Sequence, residues 1–113
     1  MILKQGVKFI GIRPECGFAM CVVDSVHQGL FNRDAVITSI RDRNHNVTGG
    51  HPDGSAFDVS VRGLDENETT QMRIECEIQL GQEWLAEIHD RGTENEHFHF
   101  QIRKAVRATL LSR

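Results

Sequence analysis

His97-Phe98-His99-Phe100-Gln101-Ile102 alternates polar and apolar side chains at every step, which is the two-residue period of a strand with one face buried and one presented. His97, His99 and Gln101 share one face, and Phe98, Phe100 and Ile102 share the other. A row of two phenylalanines and an isoleucine needs a second layer to cover it, so this segment belongs to a sheet packed on helices. Working outward, Trp84-Leu85-Ala86-Glu87-Ile88 also has strand character. Ala56 to Val61 reads as a strand with Ala56, Asp58 and Ser60 on one face, and the short β-branched run Ala35 to Ile40 as a buried strand. Val7 to Ile12 is a short edge strand or an ordered lead-in.

Two helices complete the pattern. Pro14 suits a first helical turn, and Phe18, Cys21, Val22, Val26 and Leu30 recur at three- and four-residue spacing, giving an amphipathic helix from Pro14 to Gly29. Asp65 is placed as an N-cap with Glu68 three residues on, and Gly81 as the stop. Met72, Cys76 and Leu80 form the stripe between them. The order helix, strand, strand, helix, strand, strand predicts an α+β fold: a small antiparallel sheet flanked by two main helices, in one domain spanning residues 1–113.

With 13 Lys and Arg against 16 Asp and Glu, the formal charge of −3 provides no overall basic face, so nucleic acid is not an expected partner. The locally basic stretch Arg103 to Arg107 reads as a solvated tail or a last helical turn. Three cysteines, odd in number and without C-x-x-C spacing, read as free thiols packed in or near the core, in a reducing compartment. The N-terminal residues have no long apolar run, which predicts neither a signal peptide nor a membrane span.

The departures from these patterns point to chemistry. Arg41 to Ser55 is rich in Asn, Gly, Asp and His, a long loop for so small a domain. Asp58 interrupts an otherwise apolar strand, where a carboxylate needs a partner or a metal. His51 lies in the loop feeding that strand, and Glu96 stands three residues before His99. His51, Asp58 and His99 together are a candidate zinc-ligand set of two imidazoles and a carboxylate, with one position left for water and Glu96 as its general base. His27 and His89 read as surface or capping residues, and Trp84 as core.

The run Val36-Ile37-Thr38-Ser39-Ile40-Arg41, followed by His51-Pro-Asp-Gly-Ser-Ala-Phe-Asp58 and Glu96-His-Phe-His99, resembles the D-alanyl-D-alanine carboxypeptidase family, which includes the vancomycin-resistance D,D-dipeptidases and phage L-alanyl-D-glutamate endopeptidases. The resemblance runs from about Val36 to Gln101. It implies a Hedgehog/D,D-peptidase-like fold, Zn2+ on His51, Asp58 and His99, and Glu96 as catalytic base. It also implies Arg41 at the oxyanion and His97 as the additional imidazole of the murein endopeptidase variant. The Gly-Tyr that commonly precedes the family's Arg is reduced here to Ile40, which leaves Arg43 as a rival to Arg41, and His45 matches a position behind the ligands.

The activity so implied is zinc-dependent hydrolysis of an amide bond in a peptidoglycan stem peptide or cross-link, of the D,D-carboxypeptidase or endopeptidase type. The expected protein is a monomer made in the cytoplasm, a phage endolysin or virion component that reaches the cell wall after release. The alternative is a non-catalytic, zinc-stabilised module that binds cell wall or builds a virion.

Overall fold

In the computed structural model, residues 1–7, 12, 14–40 and 56–103 are described. They run β1 (Ile2–Leu3), α1 (Pro14–Phe31), β2 (Val36–Ile40), β3 (Ala56–Ser60), α2 (Glu66–Leu80), β4 (Trp84–His89) and β5 (His97–Ile102). The strands form one five-stranded sheet in the order β1-β2-β3-β5-β4. The α+β class holds, but the expected antiparallel sheet is a mixed one. β2, β3, β5 and β4 are antiparallel neighbours, whereas β1 lies parallel to β2. Parallel neighbours need a crossover connection, and α1 supplies it. Two residues are too few to show a period, so β1 is legible only from its ladder, Ile2 N–H to the Ala35 carbonyl (2.8 Å) and Lys4 N–H to that of Ile37 (2.9 Å). The strand expected over Val7–Ile12 falls largely outside the described residues. Val7 itself donates to the Lys4 carbonyl in a turn (3.1 Å).

α1 runs two residues beyond the expected stop at Gly29. It ends where Asn32 adopts a left-handed conformation (φ 55°) and returns its N–H to the Gln28 carbonyl (2.8 Å), so Asn takes the role usually given to glycine. Its core face also differs from the expected stripe. Cys16, Ala19, Met20, Val23 and His27 are buried, whereas Phe18 and Cys21 point outward. Glu15 and Asp24 are the helix's only Asp, Glu, Lys or Arg residues, so apolar residues encircle most of it and the spacing fits more than one face. The thiols divide accordingly: Cys16 and Cys76 are buried, and Cys21 is exposed.

α2 starts on the expected capping box. Asp65 accepts from the Glu68 N–H (2.8 Å), and the Glu68 carboxylate accepts from the Asp65 N–H (2.9 Å). Gly81 closes the helix at φ 82°, donating to the Glu77 carbonyl (3.1 Å).

Between helices and sheet lies the aromatic core. Phe57 stacks on Phe100 at 5.2 Å, and Trp84 meets Phe57 edge-on at 6.1 Å. Phe98, Val59, Ile37 and Ile102 extend this apolar face against Met20, Val23 and Met72 of the helices. Full burial of each large side chain is worth about 1.5–3 kcal/mol. With both helices engaged on this face, the opposite face of the sheet is left to Asp58, Ser60, Glu87, His89, His97, His99 and Gln101.

Candidate functional site

Register assembles the polar face. Asp58 of β3 lies directly across from His99 of β5, Ser60 across from His97, and on β5's other side Glu87 and His89 of β4 lie across from His99 and His97. Residues directly opposite in antiparallel strands have Cβ atoms about 5 Å apart, so six polar side chains from three strands share a small area. Beside Asp58, the register of β2 slips between Ile37 and Ser39. This bulge restores Ile40 to the core opposite Phe57 and places Ser39 opposite Asp58. Bulges of this kind commonly re-aim strands beside functional groups.

At the centre, His99 Nδ1 is 2.8 Å from Asp58 Oδ1, and its Nε2 is 2.7 Å from Gln101 Oε1. His99 is 6 % exposed. Burial pulls its pKa down, but the Asp58 and Gln101 hydrogen bonds, with the charges of Asp58 and Glu87, outweigh that and hold it above the ordinary imidazole value. Both ring nitrogens face oxygen atoms, an arrangement that the imidazolium satisfies.

His97 stands beside this pair. Its Nδ1 donates to the Asn95 carbonyl (2.7 Å), and its Nε2 stands 3.9 Å from Asp58 Oδ2. A backbone carbonyl on one ring nitrogen fixes the tautomer in the way metal-binding imidazoles use. His89, read from sequence as a surface or capping residue, stacks flat on His99 (4.5 Å between centroids, 16°) and meets His97 edge-on at 5.4 Å. Its own Nε2 is 3.1 Å from Glu87 Oε1. The Glu87-x-His89 spacing on a strand was the available signal for this pair. His27 is no surface residue: it is buried, donating Nδ1–H to the Arg33 carbonyl (3.1 Å) just past the end of α1.

Of the predicted site residues, Asp58, His97 and His99 are thus brought together. Glu96 immediately precedes β5, and its carboxylate turns back on the preceding turn to accept from the Gly92 N–H (3.3 Å). His51, Arg41, Arg43 and His45 lie outside the described residues. Among the described residues no three His, Cys, Asp or Glu side chains form a group able to hold a metal ion, so a complete site needs a donor from elsewhere in the chain. The two donors in place fit the chemistry. Asp58 Oδ1 and His99 Nδ1 are 2.8 Å apart, so a small separation of the two side chains would let both act as ligands at about 2.0–2.2 Å. Nδ1 of His99 would have to give up its proton before it and Asp58 could hold a cation together.

Comparison with protein-family models, curated proteins and solved structures gave no match. Among the described residues, no helix is long and apolar enough to cross a membrane.

Proposed function

We propose that this chain is a zinc peptidase of the Hedgehog/D,D-peptidase type, hydrolysing an amide bond in the peptide part of peptidoglycan. One observation carries the reading. Asp58 and His99, separated by 41 positions in sequence, meet at 2.8 Å on the polar face of the sheet, with the fixed His97 imidazole 3.9 Å from the same carboxylate. A carboxylate and an imidazole placed side by side, with a second imidazole within reach, are the donor types of catalytic rather than thiolate-bound structural zinc. The chain's motif order from Val36 to His99 agrees with that choice.

In this reading His51 joins Asp58 and His99 as the third ligand. When bound, the ion supplies a water of lowered pKa and a positive charge for the developing oxyanion. The remaining work falls to the chain. Glu96 leaves its contact with Gly92, takes the proton from the attacking water and returns it to the leaving amine. Arg41 or Arg43 donates to the carbonyl oxygen as it gains charge. His97 holds its Nε2 beside the ligands, where it orients the water or the amide. The substrate is a stem peptide or cross-link, and the setting is a phage product acting on the cell wall.

The test is Glu96→Ala, assayed with purified sacculi and mass analysis of the released fragments. Zinc content stays at the wild-type level, while cleavage falls by about 10²–10⁴-fold, the usual contribution of a general acid–base group. Unchanged cleavage overturns the assignment of Glu96. Zinc binding by the wild type without any turnover of sacculi overturns the peptidase and leaves a wall-binding module.

A further inference from the structure

We propose that the outer face of α1 and α2, on the layer opposite the polar site, is a two-fold interface with a second copy of this chain, each copy seating its Phe18 in a groove of the other. A helix with apolar residues around most of its circumference belongs between two layers. α1 has the sheet on one side, through Cys16, Ala19, Met20 and Val23. On its outer side Phe18 is 74 % exposed, and Ile74 and Ile78 of α2 are 43 % and 66 % exposed. Phe18 alone therefore leaves about 150 Å² in water, given the roughly 200 Å² such a ring can bury.

Next to Phe18 is the complementary feature. A groove of about 460 Å³ runs between the helices, with Val22, Ser25, Gly29 and Leu30 of α1 on one wall and Glu75 and Gln79 of α2 on the other. Gly29 lacks the side chain that would narrow it, and a Cβ there would meet open space. Ridge and groove lie on the same helix, with Ser25 seven residues beyond Phe18, which is about 11 Å of helix. A two-fold axis through the midpoint, at Cys21–Val22, brings two antiparallel copies of α1 together and places each ring over the other's groove. This self-matching of one surface is the mark of an isologous dimer, and it selects a second copy over an unrelated partner.

The size also suits. α1 has 18 residues and α2 has 15, about 27 and 22 Å long. Side by side at 8–10 Å they outline roughly 500 Å². That outline is over half of the ~800 Å² that each partner of a standard stable interface buries. Glu75 is the sole ionisable carboxylate on the groove, and it stands at its wall.

The experiment is sedimentation equilibrium of the full chain from low to high micromolar concentration. The wild type approaches twice the 12.8 kDa chain mass. Phe18→Asp and Gly29→Leu, one removing the ridge and one filling the groove, each raise the dimer dissociation constant by about 10²-fold or more, because the two-fold repeats each change. Phe18 and Gly29 contribute nothing to the buried core, so both variants keep the wild-type far-ultraviolet spectrum and thermal transition when measured as monomers. Mild oxidation links the wild type through Cys21, the exposed thiol nearest the axis, and Phe18→Asp suppresses the link. A wild type of single-chain mass throughout overturns the proposal, as does a Phe18→Asp dimer of unchanged strength or a mass above two copies. Zinc content and sacculus cleavage are separate readouts on the other face, so failure here leaves the peptidase reading untouched, and the reverse.

Discussion

Asp58 and His99 were legible in the sequence because each breaks a pattern. Asp58 interrupts an apolar strand, and His99 alternates with the phenylalanines that fill the core. Their meeting is a consequence of register, Asp58 opposite His99, which no single-residue reading supplies. His89, read as a surface or capping residue, and Glu87 stayed out of the expected site for a physical reason: they lie near the end of an outer strand with partly exposed side chains, where polar residues are ordinary. The Asp58 carboxylate is the group on which the pair depends, since it accepts from the buried His99 ring and outweighs much of the desolvation acting on it. In Asp58→Ala, His99 Nδ1–H keeps its burial and loses this acceptor, at a cost of about 1–3 kcal/mol. The expected outcome is a lower urea midpoint with an unchanged m-value. On the proposed zinc reading, elemental analysis of the same variant should also find bound zinc falling from one ion per chain towards none. A variant that unfolds at the wild-type midpoint and still carries a full equivalent of zinc removes Asp58 from the centre.

Among the elements, α2 was the most completely legible, because its ends are set by local chemistry. Asp65 and Glu68 satisfy two backbone donors reciprocally, and Gly81 accepts a φ of 82°. Asp65→Ala removes the capping acceptor from the Glu68 N–H (2.8 Å) and is expected to cost about 1 kcal/mol. Asp65→Ser restores most of that loss, and urea denaturation of the two variants checks the pair. α1 shows where spacing runs out. Phe18, Cys21, Val22, Val26 and Leu30 keep helical periodicity, yet the sheet selected Cys16, Ala19, Met20 and Val23. Periodicity reports that a helix has an apolar face, and a helix with few charges has more than one. β1 was missed for the complementary reason: a two-residue strand is held by its ladder to β2, and nothing in Ile2 and Leu3 alone requires a sheet.

For the molecule as a whole, the layer arrangement was legible because the apolar face of the strand ending at Ile102 needs helices to cover it. The mixed topology was not, because it turns on the crossover that lays β1 beside β2. At the end of α1 His27 is buried, with its Nδ1–H on the Arg33 carbonyl and its ring edge-on to Phe31 at 5.1 Å. Burial lowers its pKa below the ordinary value, and the Arg33 carbonyl only partly opposes that. The sign follows from linkage. Above an unfolded-state pKa of about 6.5 both states hold a neutral ring, and His27 exacts no protonation penalty. As pH falls through that value the unfolded chain takes up a proton that the folded chain resists, so stability declines and then levels off below the folded pKa. His99 runs the other way, since its raised pKa adds stability that is complete below 6.5 and disappears as pH rises through its folded value. The two must therefore be separated by difference. His27→Asn keeps a donor for the Arg33 carbonyl and removes the titration, while the His99 contribution stays common to both proteins. Urea midpoints measured from about pH 8 to about pH 5 should show the wild type losing more stability than His27→Asn across the acid half of the range. A difference between the two proteins that is flat in pH would mean that His27 titrates alike in both states, and that the buried ring carries no proton linkage to folding.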